Sequence, residues 1–403
     1  MQLFFSMLVT LFLINHSLIG AAEKSDLINT KNQLTDILAH LITLDTVSSN
    51  QKANKQALNW VEQELKDYPI HLKWVEQNNY PSLLITTQET KTPKLWLIAH
   101  MDVVSAPKKL FIPVVENNKM KGRGAMDMKM AIASYILLIK ELNKALPTYD
   151  FGIMLTSDEE IGGGNGIKYL LDEGYSSEIG FAPDGGFDWH IEEEAKGVLL
   201  IKLVAQGTSA HSSRPWEGDN AIEKLQEILP KIQNLFPKNN HPDINWYPTV
   251  SVTVIQGGQA TNVVPDYAET DINIRFPAYM SSSKILKDIN DIVQHYPGVN
   301  MMESLKGSPH KVDVKNPEFL LFKQIAKERF SIDVKTMKSH GASDARFFGE
   351  KGIPVLVISP IGGGIHSNNE WVDLNDLARF YLVMKEWVKD ISSVKQESKK
   401  NEY

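Results

Sequence analysis

The chain has 403 residues, 42% of them hydrophobic and 23% charged, the proportions of an ordinary globular protein with room for two domains. Its 42 Lys and Arg stand against 49 Asp and Glu, a net charge of -7, so no basic surplus is present to drive non-specific binding to nucleic acid or to an anionic membrane surface. With no cysteine, disulfides, thiolate metal ligands and a cysteine nucleophile are excluded.

Gln2–Gly20 is an apolar stretch without a charged side chain, closed by Gly20-Ala21-Ala22 and then Glu23-Lys24. This predicts a secretory leader over residues 1–22 and an exported protein, periplasmic or secreted. The missing basic residue at its start and a length close to that of a membrane span leave a retained anchor as the alternative. Leu34, Leu38 and Leu41, then Leu58, Val61 and Leu65, recur at helical spacing, and polar and apolar residues alternate from His71 to Trp74 as in an exposed strand. Apolar strands and amphipathic helices then alternate through Phe181. Ile132, Ile136, Ile139 and Leu146 mark the buried face of a helix after Asp127. Strands alternating with helices predict an α/β domain with a largely parallel sheet.

The pattern changes at Gly197. Gly197–Gln206 reads as a strand, Asn220–Phe236 as a helix, Thr249–Gln256 and Tyr267–Phe276 as strands, Ser282–Gln294 as a helix and Val299–Leu305 as a strand. That order is the ferredoxin-like arrangement of a small α+β domain. From Gly307 the α/β pattern resumes, with a helix over Glu318–Arg329 and a strand at Val355. The expected organisation is therefore a first domain of residues 23–196 and 307–391, an insertion at 197–306, and a polar tail at 392–403.

Chemistry-bearing side chains gather where apolar strand-like runs end, the place where open α/β sheets hold ligands. The run Lys94–Ala99 ends in His100 and Asp102, and Phe151–Thr156 in Asp158, Glu159 and Glu160. Ile179–Pro183 ends in Asp184, and Pro354–Ser359 leads through a Gly-rich turn to His366. Between the first two, Gly122–Asp127 opens a helix and adds another carboxylate. Imidazole nitrogen with carboxylate oxygen is a donor set suited to Zn(II) and its first-row neighbours.

His100-Met-Asp102-Val-Val, Gly122-Arg-Gly-Ala-Met-Asp127-Met-Lys129, Ser157-Asp-Glu159-Glu160-Ile-Gly162, Gly207-Thr-Ser-Ala-His211-Ser, Gly257-Gly-Gln-Ala-Thr-Asn262-Val-Val-Pro265 and Gly341-Ala-Ser-Asp344-Ala-Arg346 resemble, in order, the motifs of one family. It is the zinc-dependent aminoacylase and carboxypeptidase family of metallopeptidases, which includes acetylornithine deacetylase, succinyl-diaminopimelate desuccinylase and the glutamate-releasing carboxypeptidases. The resemblance covers nearly the whole chain after the leader.

It implies two Zn(II) ions, with Co(II) or Mn(II) as substitutes, in a catalytic domain whose inserted ferredoxin-like domain serves as lid and dimerisation surface. By the resemblance His100 and Asp184 hold one ion, Glu160 and His366 the other, and Asp127 bridges them. Two cations about 3.5 to 4 Å apart need such a shared carboxylate between them. Asp102 would accept the His100 ring N–H and fix its tautomer, Glu159 would be the general base toward the metal-activated water, and the Asp127–Met128 peptide would be cis. His211 would stabilise the oxyanion at the partner subunit's site; read from the residues alone it is a polar histidine capping the following helix. Asn262, Arg275, Ser343 and Arg346, the last oriented by Asp344, would contact the substrate and grip its carboxylate. His340 replaces a glycine common in relatives and is a specificity candidate or simply a solvent-facing ring.

The expected activity is hydrolysis of the amide bond of a small peptide or N-acyl amino acid, by a homodimer formed through the lid. Nucleic acid and a stable membrane partner are not expected. A non-catalytic binder of peptides or acyl amino acids on the same fold is the alternative, disfavoured because no ligand or base position is lost. A two-metal phosphoesterase leaves the lid motifs without a role.

Overall fold

The computed structural model describes residues 25–236 and 246–394 of the chain, which form two compact units; the expected leader and most of the expected tail lie outside the described residues. One unit comprises the chain through Glu192 together with Asp313–Thr336 and the chain from Gly352; the other comprises Glu193–Val312 and Met337–Lys351. Residues 337–351, which carry His340, Ser343 and Arg346, thus group with the inserted segment. Among the described residues no helix is long and apolar enough to cross a membrane.

The first unit is built on a six-stranded sheet in the order His71–Gln77, Tyr80–Thr86, Phe151–Thr156, Leu95–His100, Ile179–Ala182, Val355–Val357. The last four run parallel, and the first two form an antiparallel edge. Leu95–His100 and Phe151–Thr156 are buried at every position. Strands covered on both faces read as continuous apolar runs, which is the pattern found in the sequence. The tight approach of neighbouring strands is visible at Gly152, where a β-carbon would lie 2.2 Å from the Trp96 ring. Trp96 is fully buried and its indole donates to the Ser176 carbonyl at 2.8 Å.

The helix Lys129–Leu142 is buried along almost its whole length, and the Tyr135 hydroxyl donates to the Ile98 carbonyl at 3.1 Å. It ends sooner than its apolar spacing predicts. Asn143 takes a φ of 41°, and Leu146 lies in a short 3-10 turn, Asn143–Thr148, that contains Pro147. The helices Pro317–Phe330 and Leu374–Ser392 supply Phe322, Phe380 and Trp387, which gather around Phe181 with ring centroids 5.3 to 6.1 Å apart.

The second unit carries an antiparallel four-stranded sheet in the order Thr249–Gly257, Tyr267–Phe276, Gly197–Gln206, Val299–Gly307. With the helices Ala221–Asn234 and Ser282–Val293 this is the ferredoxin-like strand order. Burial alternates along Gly197–Gln206 and Tyr267–Phe276, so one face of the sheet meets the helices. There Leu199, Ile201, Leu203, Ile272 and Ile274 pack with Leu225, Ile228, Ile285 and Ile289.

Candidate metal centre

Asp127 stands in the loop between the strand Lys119–Lys121 and the helix Lys129–Leu142. The loop turns at Gly124, whose φ of +82° suits glycine, and the Asp127–Met128 peptide is cis. Its carboxylate oxygens face in two directions. Oδ1 lies 3.2 Å from His100 Nε2, which is itself 3.8 Å from Asp184 Oδ1. Oδ2 lies 3.0 Å from His366 Nε2, which is 3.1 Å from Glu160 Oε2. His100, Asp127 and Asp184 thus form one potential ligand group, and Asp127, Glu160 and His366 another, with Asp127 common to both.

The other four side chains arrive from the carboxyl end of a parallel strand or the loop beyond it. His100 closes Leu95–His100; Glu160 sits in the turn Glu159–Ile161 after Phe151–Thr156; Asp184 follows Ile179–Ala182; and His366, at φ 59°, follows Val355–Val357. A loop hydrogen bond from the Ile361 N–H to Asp376 Oδ2 at 2.7 Å, shared with the Trp189 indole at 2.8 Å, anchors the approach to His366.

The donor set fits divalent cations. His100 is 2% exposed. Its Nδ1 lies 2.9 Å from the Asp102 main-chain oxygen, which makes Nδ1 the protonated nitrogen and turns the Nε2 lone pair toward the carboxylates. Nε2 is buried without a hydrogen-bond partner, and a bare lone pair beside two carboxylate oxygens needs a positive charge between them. Spacings of 3.0 to 3.2 Å are close to the edge of a tetrahedron with bonds of about 2.0 Å. Without a cation, protons do the same work. His366 is raised to about 10 by its bonds to Asp127 and Glu160. His100 is also raised: burial opposes its charge, but the carboxylates of Asp102, Asp127 and Asp184 outweigh it. Burial pushes the Asp127 carboxyl upward, and the two imidazoles more than reverse this and hold it low.

Asp102 differs from the expectation in detail. Its carboxylate Oδ1 is 3.5 Å from His100 Nδ1, beyond the 2.9 Å of its own backbone oxygen. The carboxylate instead accepts the Glu159 and Glu160 N–H groups, each at 3.2 Å, and the Ser48 hydroxyl at 2.9 Å. It therefore sets the turn that presents both glutamates. Asp158 accepts the Asn165 N–H at 2.6 Å, and burial lifts its carboxyl to about 6.

The remaining predicted residues lie in the second unit. His211 is exposed on a two-residue strand paired with Val263–Val264, and the Asn262 carbonyl accepts the Ser212 N–H at 3.0 Å, so His211 and Asn262 are neighbours. The His211 ring contacts the Ser213 hydroxyl at 2.8 Å, and the following helix is capped by the Asn220 side chain, which removes the helix-cap reading of His211. Arg275 is lowered by burial and by Arg346. Arg346 is 4% exposed, donates to the Ser343 main-chain oxygen at 2.8 Å and lies 4.3 Å over the Phe347 ring. His340 is exposed beside Trp246, ring centroids 5.5 Å apart.

Sequence reasoning missed Glu370 and Arg123. Glu370 Oε2 accepts the Arg123 guanidinium at 2.6 Å, and Oε1 accepts the N–H groups of Met126 and Asp127 at 2.9 and 3.1 Å. Their signals were a lone acid four residues after His366 and the arginine inside the Gly-rich motif; neither carries a spacing that separates it from a surface charge.

Residues 96–390 match the family model for peptidase family M20/M25/M40. Among curated proteins, the succinyl-diaminopimelate desuccinylase of Sulfurovum sp. is 26% identical over 377 residues, covering 88% of this chain and 98% of its own. The fold is shared with the M20 metallo-carboxypeptidase Sso-CP2 of Sulfolobus solfataricus, at TM-score 0.73 and 17% identity over 89% of this chain and 99% of that one. The di-peptidase Dug1p of Saccharomyces cerevisiae matches at TM-score 0.72 and 17% identity, over 93% and 99% of the two chains.

Proposed function

The chain belongs to peptidase family M20/M25/M40, a family of metal-dependent hydrolases, and from that premise we propose that it hydrolyses the amide bond of small peptides or N-acyl amino acids at a two-zinc centre. The observation that carries this reading is Asp127 presenting one carboxylate oxygen to His100 and the other to His366. His100 and Asp184 would hold one ion, Glu160 and His366 the other, with Asp127 shared. Bound there, the ions supply Lewis acidity to a water and to the scissile carbonyl.

Glu159 acts as the general base: it takes the proton of the attacking water and passes it to the departing amine. Support comes from its place in the turn beside Glu160 and from the Asp102 bond to its N–H. Asp102 keeps both glutamates in place and its backbone oxygen selects the His100 tautomer. By the motif resemblance His211 donates to the oxyanion at the partner subunit's site, and Asn262, Ser343 and the guanidinium groups of Arg275 and Arg346 contact the substrate and receive its carboxylate. The apolar Gln2–Gly20 stretch supports export, and the lid motifs support a homodimer. Relatives named for desuccinylation and for dipeptide cleavage mark the substrate range to screen.

Glu159→Gln is the test. The amide keeps the shape and cannot accept the proton, so turnover falls by about 10²-fold or more while zinc content, measured by atomic absorption, stays at the wild-type ratio. A variant with full zinc and wild-type turnover removes Glu159 as the base.

A further inference from the structure

Asp127 is the one carboxylate common to both ligand groups, so its position sets how both are filled. Nothing in its own short side chain fixes where its backbone lies. The backbone is held by Glu370, which is 2% exposed. Its Oε1 receives two consecutive N–H groups, those of Met126 and Asp127, and its Oε2 receives Arg123, itself 2% exposed. The backbone on both sides is tied into the same connection. The Gly122 N–H donates to the Glu370 carbonyl at 3.2 Å, and Trp371 pairs with Lys121 across an antiparallel ladder. Glu370 lies four residues beyond His366. The loop carrying the bridging acid and the segment carrying His366 therefore meet at one buried carboxylate. Close packing leaves them little freedom: a β-carbon on Gly362 would lie 2.3 Å from Met126 Sδ.

We propose that Glu370, clamped by Arg123, is a positioning residue of the metal centre: it holds the Asp127 backbone at the height at which one carboxylate reaches both cation sites. The inference rests on the two-metal reading above. It assigns to Glu370 a requirement for an acceptor at Oε1 rather than for negative charge as such. A glutamine has one oxygen, so it can satisfy Arg123 or the two N–H groups, never both.

The experiment is a Co(II) titration of the metal-stripped full-length protein, followed by calorimetry and by the visible d–d bands, with folding checked by circular dichroism. Glu370→Gln weakens both equivalents by about 10- to 100-fold, the usual loss when the group orienting a metal ligand is removed, and changes the d–d spectrum. The double variant R123M/E370Q frees the amide oxygen for the Met126 and Asp127 N–H groups and returns Co(II) affinity to within about threefold of wild type. R123M/E370L, similar in volume and equally uncharged, does not. Should the single variant fail to fold, the two double variants still decide: equal Co(II) affinity and equal spectra in both overturn the proposal, as does wild-type affinity in a folded Glu370→Gln. Wild-type protein that binds no Co(II) sinks the metal-centre reading itself, a distinct result.

Discussion

His366 is the most exposed member of the cluster, its side chain 53% accessible, and yet its pKa is raised to about 10 by Asp127 and Glu160. In the metal-free protein this imidazolium stabilises the fold fully below its ordinary value of 6.5, and the contribution is lost as pH rises through about 10. Buried Lys129, lowered to about 7 by desolvation, acts in the opposite direction over much of that range, so the bulk melting curve hides the effect. The comparison that isolates it is metal-free wild type against metal-free His366→Ala. The wild type's advantage in melting temperature is largest near pH 6 and vanishes toward pH 10; an advantage that stays constant or grows with pH contradicts the assigned contacts. Four of the five members of the candidate ligand groups were legible because each follows an apolar run that could be recognised as a strand, and Asp127 because it ends a Gly-rich segment that opens a helix. Asp102 was legible as a partner of His100, but which of its oxygens takes the ring N–H depends on a turn geometry that residue order does not encode. Glu370 and Arg123 were illegible for a related reason: a buried ion pair between residues 247 apart looks in sequence like two surface charges.

Among the elements, the parallel strands were readable because burial on both faces leaves them apolar throughout, and the alternating strands of the second unit because one face meets helices. The small sheet of Val114–Glu116, Lys119–Lys121, Gly362–Gly363 and Trp371–Asp373 was not, since strands of two or three residues carry no period. The helix Leu374–Ser392 also escaped: its contiguous buried residues Phe380 to Met384 obscure the 3.6-residue repeat and resemble a strand. The sheet's packing makes its own prediction. Phe151–Thr156 lies between Tyr80–Thr86 and Leu95–His100, and its Gly152 has no room for a methyl group beside Trp96, whose indole bond to Ser176 prevents it from swinging aside. Gly152→Ala should cost about 1 to 3 kcal/mol of stability by overpacking, read as a lower urea midpoint at unchanged slope. An unchanged midpoint would mean that the strands can part at that point.

For the whole molecule, the decisive fact is that every side chain of both candidate ligand groups belongs to the first unit. A cation bound there stabilises that unit by mass action, because the ligands come together only when it is folded. The four parallel strands that end at the ligands should then open less often, and their amides should exchange more slowly with solvent. The second unit has its own core, from Leu199 to Val299, and among the described residues it contributes no member of either candidate ligand group. Hydrogen exchange read by mass spectrometry, with and without excess Zn(II), should therefore show slowed exchange in peptides covering Leu95–His100, Phe151–Thr156, Ile179–Ala182 and Val355–Val357. Peptides covering Gly197–Gln206 and Tyr267–Phe276 should be unchanged when no substrate is present. Equal slowing in both sets would mean that the units fold as one cooperative block, and slowing confined to the second would place the cation elsewhere. The division also separates two kinds of lesion: substitutions at His211, Asn262 or Arg275 should leave zinc-dependent protection of the first unit intact, whereas loss of His100 or Asp127 should abolish it.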